Sequence, residues 1–170
     1  MKWRWAAFCR EINKLARDGG RRRKFSHHKI VQTATNTQLK TVLIVDDDDD
    51  ARLVTKMFLN NFGYEVDSAS STGEALARFN PVVHDLVLTD NSMEGMTGGE
   101  MAHIIKLRSP ATPVIMCTGS PPSDCSSIDV VITKPTNLLA IKDSIDKLLA
   151  RAAIAPQPAA KKSDKQRPSA

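Results

Sequence analysis

A small set of side chains, far apart in sequence, could act together on a phosphoryl group. They are Asp46 and Asp47 in an acidic run, Asp90, Thr118 and Lys134. Three carboxylates held close together repel one another unless a cation compensates, and Mg²⁺ typically takes one or two carboxylates while keeping water. An ammonium and a hydroxyl suit phosphoryl oxygens, and a carboxylate can itself be the nucleophile that becomes an aspartyl phosphate. We therefore expect phosphoryl chemistry with Mg²⁺ as the cofactor.

Each of these side chains ends or follows a segment with the pattern of a β-strand. Residues 42–45 are a continuous apolar, mostly β-branched run, which is typical of a strand buried on both faces of a parallel sheet. The acidic run 46–50 comes directly after it. Residues 64–69 alternate as a second strand. Three further strands are predicted at residues 85–90, 113–118 and 130–134, and they end in Asp90, Thr118 and Lys134.

Amphipathic patterns predict helices between and after these strands. Their apolar residues are Leu53, Val54, Met57, Phe58 and Phe62 in the first, Ala75, Leu76 and Phe79 in the second, Met101, Ile104 and Ile105 in the third, and Leu138, Ile141, Ile145 and Leu148 in the last. Gly63 is expected to end the first helix, a capping box of Ser71 and Glu74 to open the second, and a glycine-rich loop at 94–99 to precede the third.

Strands that alternate with helices predict an α/β fold, a parallel sheet covered on both faces with right-handed crossovers. In such a sheet the carboxyl ends of all strands share one edge, and ligands bind there. Asp46, Asp47, Asp90, Thr118 and Lys134 are therefore expected to converge.

The charge of the chain is divided between its ends and its middle. Residues 1–40 carry a net charge of +9, residues 41–150 carry −8 and residues 151–170 carry +4. The acidic middle argues against nucleic acid as the partner of the folded part. We predict a basic, poorly ordered extension at 1–39 with a short amphipathic helix at 3–17, a folded domain at 40–151, and a disordered tail at 152–170.

Cysteine usage and hydropathy indicate the compartment. Cys9, Cys117 and Cys125 form no CxxC pair and belong to no metal-spaced cluster, so a zinc site is not expected and the chain reads as a reduced, cytoplasmic protein. No run is apolar and long enough for a membrane span, and no signal peptide is visible.

From Lys40 to about Arg151 the chain resembles the receiver domain of two-component response regulators. The matching residues are Asp46-Asp47, Asp90, Gly98, Thr118-Gly119 and Lys134-Pro135, each at a strand end or in its loop. The resemblance implies a doubly wound, CheY-like (flavodoxin-like) sheet of five parallel strands in the order 2-1-3-4-5.

The resemblance also implies a role for each matching residue. Asp90 would be the phosphoacceptor. Asp47, Asp90 and the backbone carbonyl of Ser92 would bind Mg²⁺ directly, and Asp46 would hold it largely through water. Thr118 would bond one phosphoryl oxygen and Lys134 another, and the Lys134-Pro135 peptide would be cis.

The partner implied by the resemblance is a histidine kinase or a histidine phosphotransfer protein. We expect a stand-alone receiver without a DNA-binding domain, and no enzymatic activity beyond self-phosphorylation and self-dephosphorylation.

The chain departs from the family pattern at three places. Glu94 replaces a common proline in the acceptor loop, and Val131 replaces an aromatic residue that rotates with the active-site threonine. A β-branched side chain cannot make that movement. Only residues 119–128, which include Pro121-Pro122 and several serines, lie between the fourth and fifth strands. The usual fourth helix is therefore expected to be short or missing.

Two other functions stay open at this point. The chain could be a receiver-shaped interaction module that phosphorylation does not regulate; the intact set of site residues argues against this, and the altered fourth-helix region keeps it open. It could also be a Mg²⁺-dependent phosphohydrolase of the haloacid dehalogenase type, whose aspartate nucleophile follows its first strand. Asp46 and Asp48 partly fit that pattern, but Asp50 occupies the position at which such enzymes have a threonine or valine.

Overall fold

A computed structural model describes residues 39–154, which form an α/β fold around a five-stranded parallel sheet. The strands are β1 (Thr41–Val45), β2 (Glu65–Ala69), β3 (Leu86–Thr89), β4 (Val114–Thr118) and β5 (Val130–Thr133). Their order is β2-β1-β3-β4-β5, and every neighbouring pair is parallel. The predicted fold class and strand order are confirmed. The predicted helix at 3–17 and most of the predicted tail lie outside the described residues.

The described residues contain four helices. They are α1 (Asp49–Asn61), α2 (Thr72–Arg78), α3 (Gly98–Arg108) and α4 (Leu138–Ile154). Helix α1 contacts α4, and α2 contacts α3, so each face of the sheet carries a pair of helices. Helix α4 continues to Ile154, past the predicted boundary at Arg151. None of the helices in this part of the chain is long and apolar enough to cross a membrane.

The sequence predicts that the usual helix between the fourth and fifth strands is short or missing. Helix α4 is the fourth helix in chain order, and it follows β5. The connection from β4 to β5, residues 119–129, consists of bends, turns and irregular backbone without a helix. Pro121 and Pro122 lack the backbone N–H groups that a helix would use. We call residues 119–129 the β4–β5 connection below.

The central strands form the core of the domain. Residues Val42, Leu43 and Val45 of β1 have no exposed surface, and Ile44 is 2% exposed, as expected for a strand covered on both faces. The edge strands β2 and β5 are only partly buried. All four apolar residues predicted for the last helix are buried, namely Leu138, Ile141, Ile145 and Leu148.

The predicted apolar face of α1 needs a correction. Leu53, Met57 and Phe62 are exposed, at 56%, 58% and 47%, while Leu59, which the sequence pattern missed, is fully buried. The spacing alone could not show which side of this helix meets the sheet. At its carboxyl end the Phe58 and Phe62 rings are 4.7 Å apart, and the Lys142 ammonium of α4 lies 5.1 Å from the Phe62 ring.

The helix caps also differ from the sequence prediction. Ser71 accepts a hydrogen bond from the Glu74 N–H at 3.2 Å, but the Glu74 carboxylate bonds Ser70 instead of closing the capping box with Ser71. The full capping box opens α3. Thr97 Oγ1 accepts from the Glu100 N–H, and the Glu100 carboxylate accepts from the Thr97 N–H at 2.8 Å. Helix α3 therefore begins at Gly98, inside the predicted loop 94–99.

This capping box gives a pH-dependent prediction. The hydrogen bond from the Thr97 N–H, with that from the Thr97 hydroxyl, lowers the pKa of the Glu100 carboxyl. The ionised Glu100 carboxylate therefore stabilises the fold at pH values above the pKa that Glu100 has in the unfolded state. This stabilisation is lost as the pH falls through the pKa that Glu100 has in the folded state. We expect Glu100→Ala to lower the free energy of unfolding at neutral pH, and the difference to disappear in acid. Urea denaturation at both pH values measures this, with exposed Glu94→Ala as the control. A difference that persists in acid would contradict it.

Candidate functional site

The carboxyl ends of β1 and β3 bring two carboxylates to one ammonium. Lys134 Nζ lies 3.4 Å from Asp90 Oδ1 and 3.6 Å from Asp46 Oδ2. The Asp90 and Asp46 side chains are only 11% and 15% exposed, whereas Lys134 is 39% exposed. Three residues from three separate strand ends thus meet at one point, as the parallel sheet predicts.

The backbone around Asp46 is held from several sides. Its N–H donates to the Ala69 carbonyl at 3.3 Å, which ties the end of β1 to the end of β2. Its carboxylate accepts from the Asp48 N–H at 2.9 Å, and the Arg52 guanidinium donates to its carbonyl at 2.6 Å. Asp48 is the N-cap of α1 and accepts from the N–H groups of Asp50 and Ala51. The acidic run therefore divides into Asp46 at the site and Asp48 at the helix cap.

The position of Asp90 depends on its close contact with α3. Its N–H donates to the Val45 carbonyl at 2.9 Å, and its Oδ2 accepts from the Ser92 N–H at 3.3 Å. Gly98 lies so near that a Cβ there would be 1.9 Å from the Asp90 carbonyl oxygen. The first turn of α3 can therefore approach the Asp90 backbone only because residue 98 has no side chain.

Thr118 is the last residue of β4, and Lys134 directly follows the adjacent strand β5. Thr118 is fully buried, and its carbonyl accepts from the Lys134 N–H at 2.9 Å. The Thr118 hydroxyl accepts from the Ser120 N–H at 3.2 Å and donates to the Ser120 carbonyl at 3.4 Å. The Lys134-Pro135 peptide is cis, as the resemblance implies.

One ammonium is shared by two carboxylates, and this unequal balance is visible in the pKa values. Burial raises the pKa of Asp46 and the charge of Asp90 adds to this, while the hydrogen bond from the Asp48 N–H and the attraction of Lys134 only partly offset the rise. Burial opposes the charged form of Lys134, but Asp46 and Asp90 together raise its pKa. Lys134 therefore stays charged, and the site retains an excess of negative charge.

The carboxylates suit a hard cation by their chemistry. Within residues 39–154, no three His, Cys, Asp or Glu side chains are spaced as a ready-made metal site. Asp46 and Asp90 nevertheless converge on one cation, Lys134, and Asp47 is exposed next to Asp46. Carboxylate oxygens with room for water are the ligands that Mg²⁺ prefers, so these residues fit a magnesium ion.

The family profile of the response regulator receiver domain matches residues 42–146, which is more than half of the chain. The chain belongs to this family. Receivers are signalling domains of two-component systems, and this receiver has the CheY-like fold of its solved relatives. The matched range includes Asp46, Asp90, Thr118 and Lys134.

Solved structures and curated relatives agree with this assignment. A CheY-like receiver from Methanospirillum hungatei superposes with a TM-score of 0.65 at 32% identity, over 68% of this chain and 98% of that one. The response regulator TrrA of Thermotoga maritima, solved in complex with Mg²⁺ and BeF, has a TM-score of 0.61 at 32% identity, over 65% and 99% of the two chains. The sensor kinase/phosphatase LuxN of Vibrio campbellii is 31% identical over 74% of this chain, but the match spans only 15% of that kinase.

The structure also contains two residues near the site that the sequence prediction missed. Arg52 holds the Asp46 carbonyl, and Asn91 contacts α3 and the β4–β5 connection from its place beside Asp90. Both act on backbone atoms, which no residue pattern reveals. Val131, which replaces an aromatic residue of the family, is half-buried on β5.

Proposed function

We propose that Asp90 accepts a phosphoryl group and that the state of Asp90 is the signal of this receiver. The observation that supports the proposal is the shared ion pair: Lys134 Nζ lies 3.4 Å from Asp90 Oδ1 and 3.6 Å from Asp46 Oδ2. A carboxylate that is largely shielded from solvent beside an ammonium can attack phosphorus while the ammonium stabilises charge on the phosphoryl oxygens.

In the proposed reaction an Asp90 carboxylate oxygen forms the new bond to phosphorus. The bond between phosphorus and the donor atom breaks, and its electron pair stays on the donor. Lys134 pairs with one phosphoryl oxygen, and the Thr118 hydroxyl donates to another. Transfer of this kind depends on positioning and electrostatic stabilisation, because the protein has little covalent chemistry to do beyond the nucleophile.

Mg²⁺ is the proposed cofactor, and Asp46, Asp47, Asp90 and the Ser92 carbonyl would hold it. When bound, the ion would neutralise charge on the carboxylates and on the phosphoryl oxygens. The excess negative charge around Asp46 and Asp90 supports this assignment. The solved relative TrrA is described as a complex with Mg²⁺ and BeF.

The proposed phosphodonor is a histidine kinase or a histidine phosphotransfer protein. LuxN, a sensor kinase/phosphatase, contains a region similar to this chain. The expectations of a stand-alone receiver and of a cytoplasmic location stay predictions, as do the domain boundaries 1–39, 40–151 and 152–170.

Mass spectrometry of the intact protein tests the proposed function. Wild type incubated with Mg²⁺ and a small phosphodonor is expected to gain the mass of one phosphoryl group, and Asp90→Asn is expected to gain none because the amide is not a nucleophile of comparable strength. Chelation of Mg²⁺ is expected to suppress the gain in wild type. No gain in wild type, or an equal gain in Asp90→Asn, would overturn the proposal.

A second candidate is an interaction module that phosphorylation does not regulate. It is favoured by the helix-free β4–β5 connection and by Val131, since both replace parts of the usual receiver output. The two candidates differ in one measurable property. Equal affinity for a protein partner with and without beryllofluoride would favour the module, and a difference would favour the phosphorylated switch.

A further inference from the structure

Asn91, which directly follows Asp90, joins three parts of the site through its side-chain amide. Its Oδ1 accepts from the Gly99 N–H at 3.2 Å, in the first turn of α3. Its Nδ2 donates to the Ser120 carbonyl at 3.3 Å, in the β4–β5 connection. A backbone donor at one end and a backbone acceptor at the other fix the orientation of the amide. The Asn91 carbonyl also accepts from the Gly98 N–H at 3.1 Å.

The Ser120 carbonyl has a second donor, and that donor is the Thr118 hydroxyl. Thr118 Oγ1 donates to this oxygen at 3.4 Å and accepts from the Ser120 N–H at 3.2 Å. A hydroxyl has one proton to donate. The proton that the proposed function requires for a phosphoryl oxygen is therefore directed at the Ser120 carbonyl, over a long distance of 3.4 Å.

We propose that Asn91 is a positioning residue that frees the Thr118 hydroxyl to bind the phosphoryl group. This inference rests on the proposed function. When the Thr118 O–H turns to a phosphoryl oxygen, the Ser120 carbonyl keeps the Asn91 Nδ2–H as its donor. Without Asn91, rotation of the Thr118 hydroxyl toward the phosphoryl group removes both side-chain donors from the Ser120 carbonyl. The hydroxyl then stays on the Ser120 carbonyl, and the phosphoryl group is bound less tightly.

The experiment is a double-mutant cycle read out by calorimetric titration of beryllofluoride in saturating Mg²⁺. The proteins are wild type, Asn91→Ala, Thr118→Ala and the double variant. Loss of one neutral hydrogen bond predicts that Asn91→Ala weakens beryllofluoride binding about fivefold in wild type. In the Thr118→Ala background the same change is expected to have no effect, because no hydroxyl is left to release.

Additional variants and one further titration separate a positioning role of Asn91 from effects of the substitution on stability and on charge. Asn80→Ala is the matched control, since its Oδ1 also accepts a backbone N–H, from Val82 at 3.0 Å, but in the α2–β3 loop at the opposite edge of the sheet. Asn91→Asp keeps the acceptor for Gly99 and removes the donor to Ser120, so it serves if Asn91→Ala fails to fold. Titration with Mg²⁺ alone measures how far the added carboxylate changes cation binding by charge.

Each outcome decides between the two proposals. An equal loss of affinity on replacing Asn91 in both backgrounds, or no loss in wild type, overturns the role of Asn91 while the proposed function stands. If wild type binds no beryllofluoride, the proposed function fails, and the inference about Asn91 fails with it. A loss confined to the background that has the Thr118 hydroxyl supports the inference.

Discussion

Gly98→Ala is expected to lower the free energy of unfolding by about 3 kcal/mol or more, as overpacking of a rigid contact does. The added Cβ would lie 1.9 Å from the Asp90 carbonyl oxygen, 2.9 Å from Thr89 Oγ1 and 3.0 Å from the Asp90 carbonyl carbon. Two of these atoms are backbone and cannot rotate away, so α3 or the loop between Asp90 and α3 has to move. Urea denaturation measures the loss.

Gly73→Ala is the matched control for this prediction. Gly73 lies in α2, and a Cβ there would meet nothing within 4 Å. Alanine in a helix is more favourable than glycine by about 1 kcal/mol, so this variant is expected to be as stable as wild type or more stable. Equal stability of Gly98→Ala and wild type would mean that the contact between α3 and Asp90 is looser than described.

Lys134→Gln is expected to slow phosphorylation by a small phosphodonor roughly 100-fold, the usual effect of removing one stabilising group from a phosphoryl or oxyanion site. The same change is expected to strengthen Mg²⁺ binding, because the ammonium that lies 3.4 Å from Asp90 and 3.6 Å from Asp46 no longer repels the ion. The two effects have opposite signs, which general damage to the site would not produce.

Intact-mass time courses give the phosphorylation rate of Lys134→Gln, and calorimetry gives its Mg²⁺ affinity. Lys147→Gln is the control, since Lys147 pairs with Asp143 on the exposed side of α4. Weaker Mg²⁺ binding in Lys134→Gln would contradict the charge balance described for the site. An unchanged phosphorylation rate would contradict the role of Lys134.

The sheet and its site could be predicted together because each apolar strand segment is followed or ended by a polar residue of the site. The run 42–45 is apolar throughout, so it had to be a strand covered on both faces, and the polar residues that follow β1, β3 and β5 had to meet at one edge. The meeting of Asp46, Asp90 and Lys134 depends on the topology of a parallel sheet and not on fine packing. For this reason the prediction did not need accurate element boundaries.

The features that were missed depend on packing and on backbone atoms. The spacing of Leu53 and Met57 predicts an apolar face for α1, but both are exposed and Leu59 is buried instead, because the packing of the helix and not the spacing decides which side is covered. The Thr97-x-x-Glu100 pattern carries a capping-box signature and could have placed the start of α3. The bonds from Asn91 to Gly99 and Ser120 reach backbone groups, which every residue has, so no sequence pattern marks them.

The central claim is that Asp90 is the phosphorylated side chain, and reduction of the phosphorylated protein tests it most directly. Borohydride converts an aspartyl phosphate into homoserine, and peptide sequencing by mass spectrometry then locates the changed residue. We expect homoserine at position 90 and at no other position, with Asp90→Asn giving none. Homoserine at position 46 would instead indicate the phosphohydrolase chemistry considered above, and either that result or the absence of homoserine would contradict the claim.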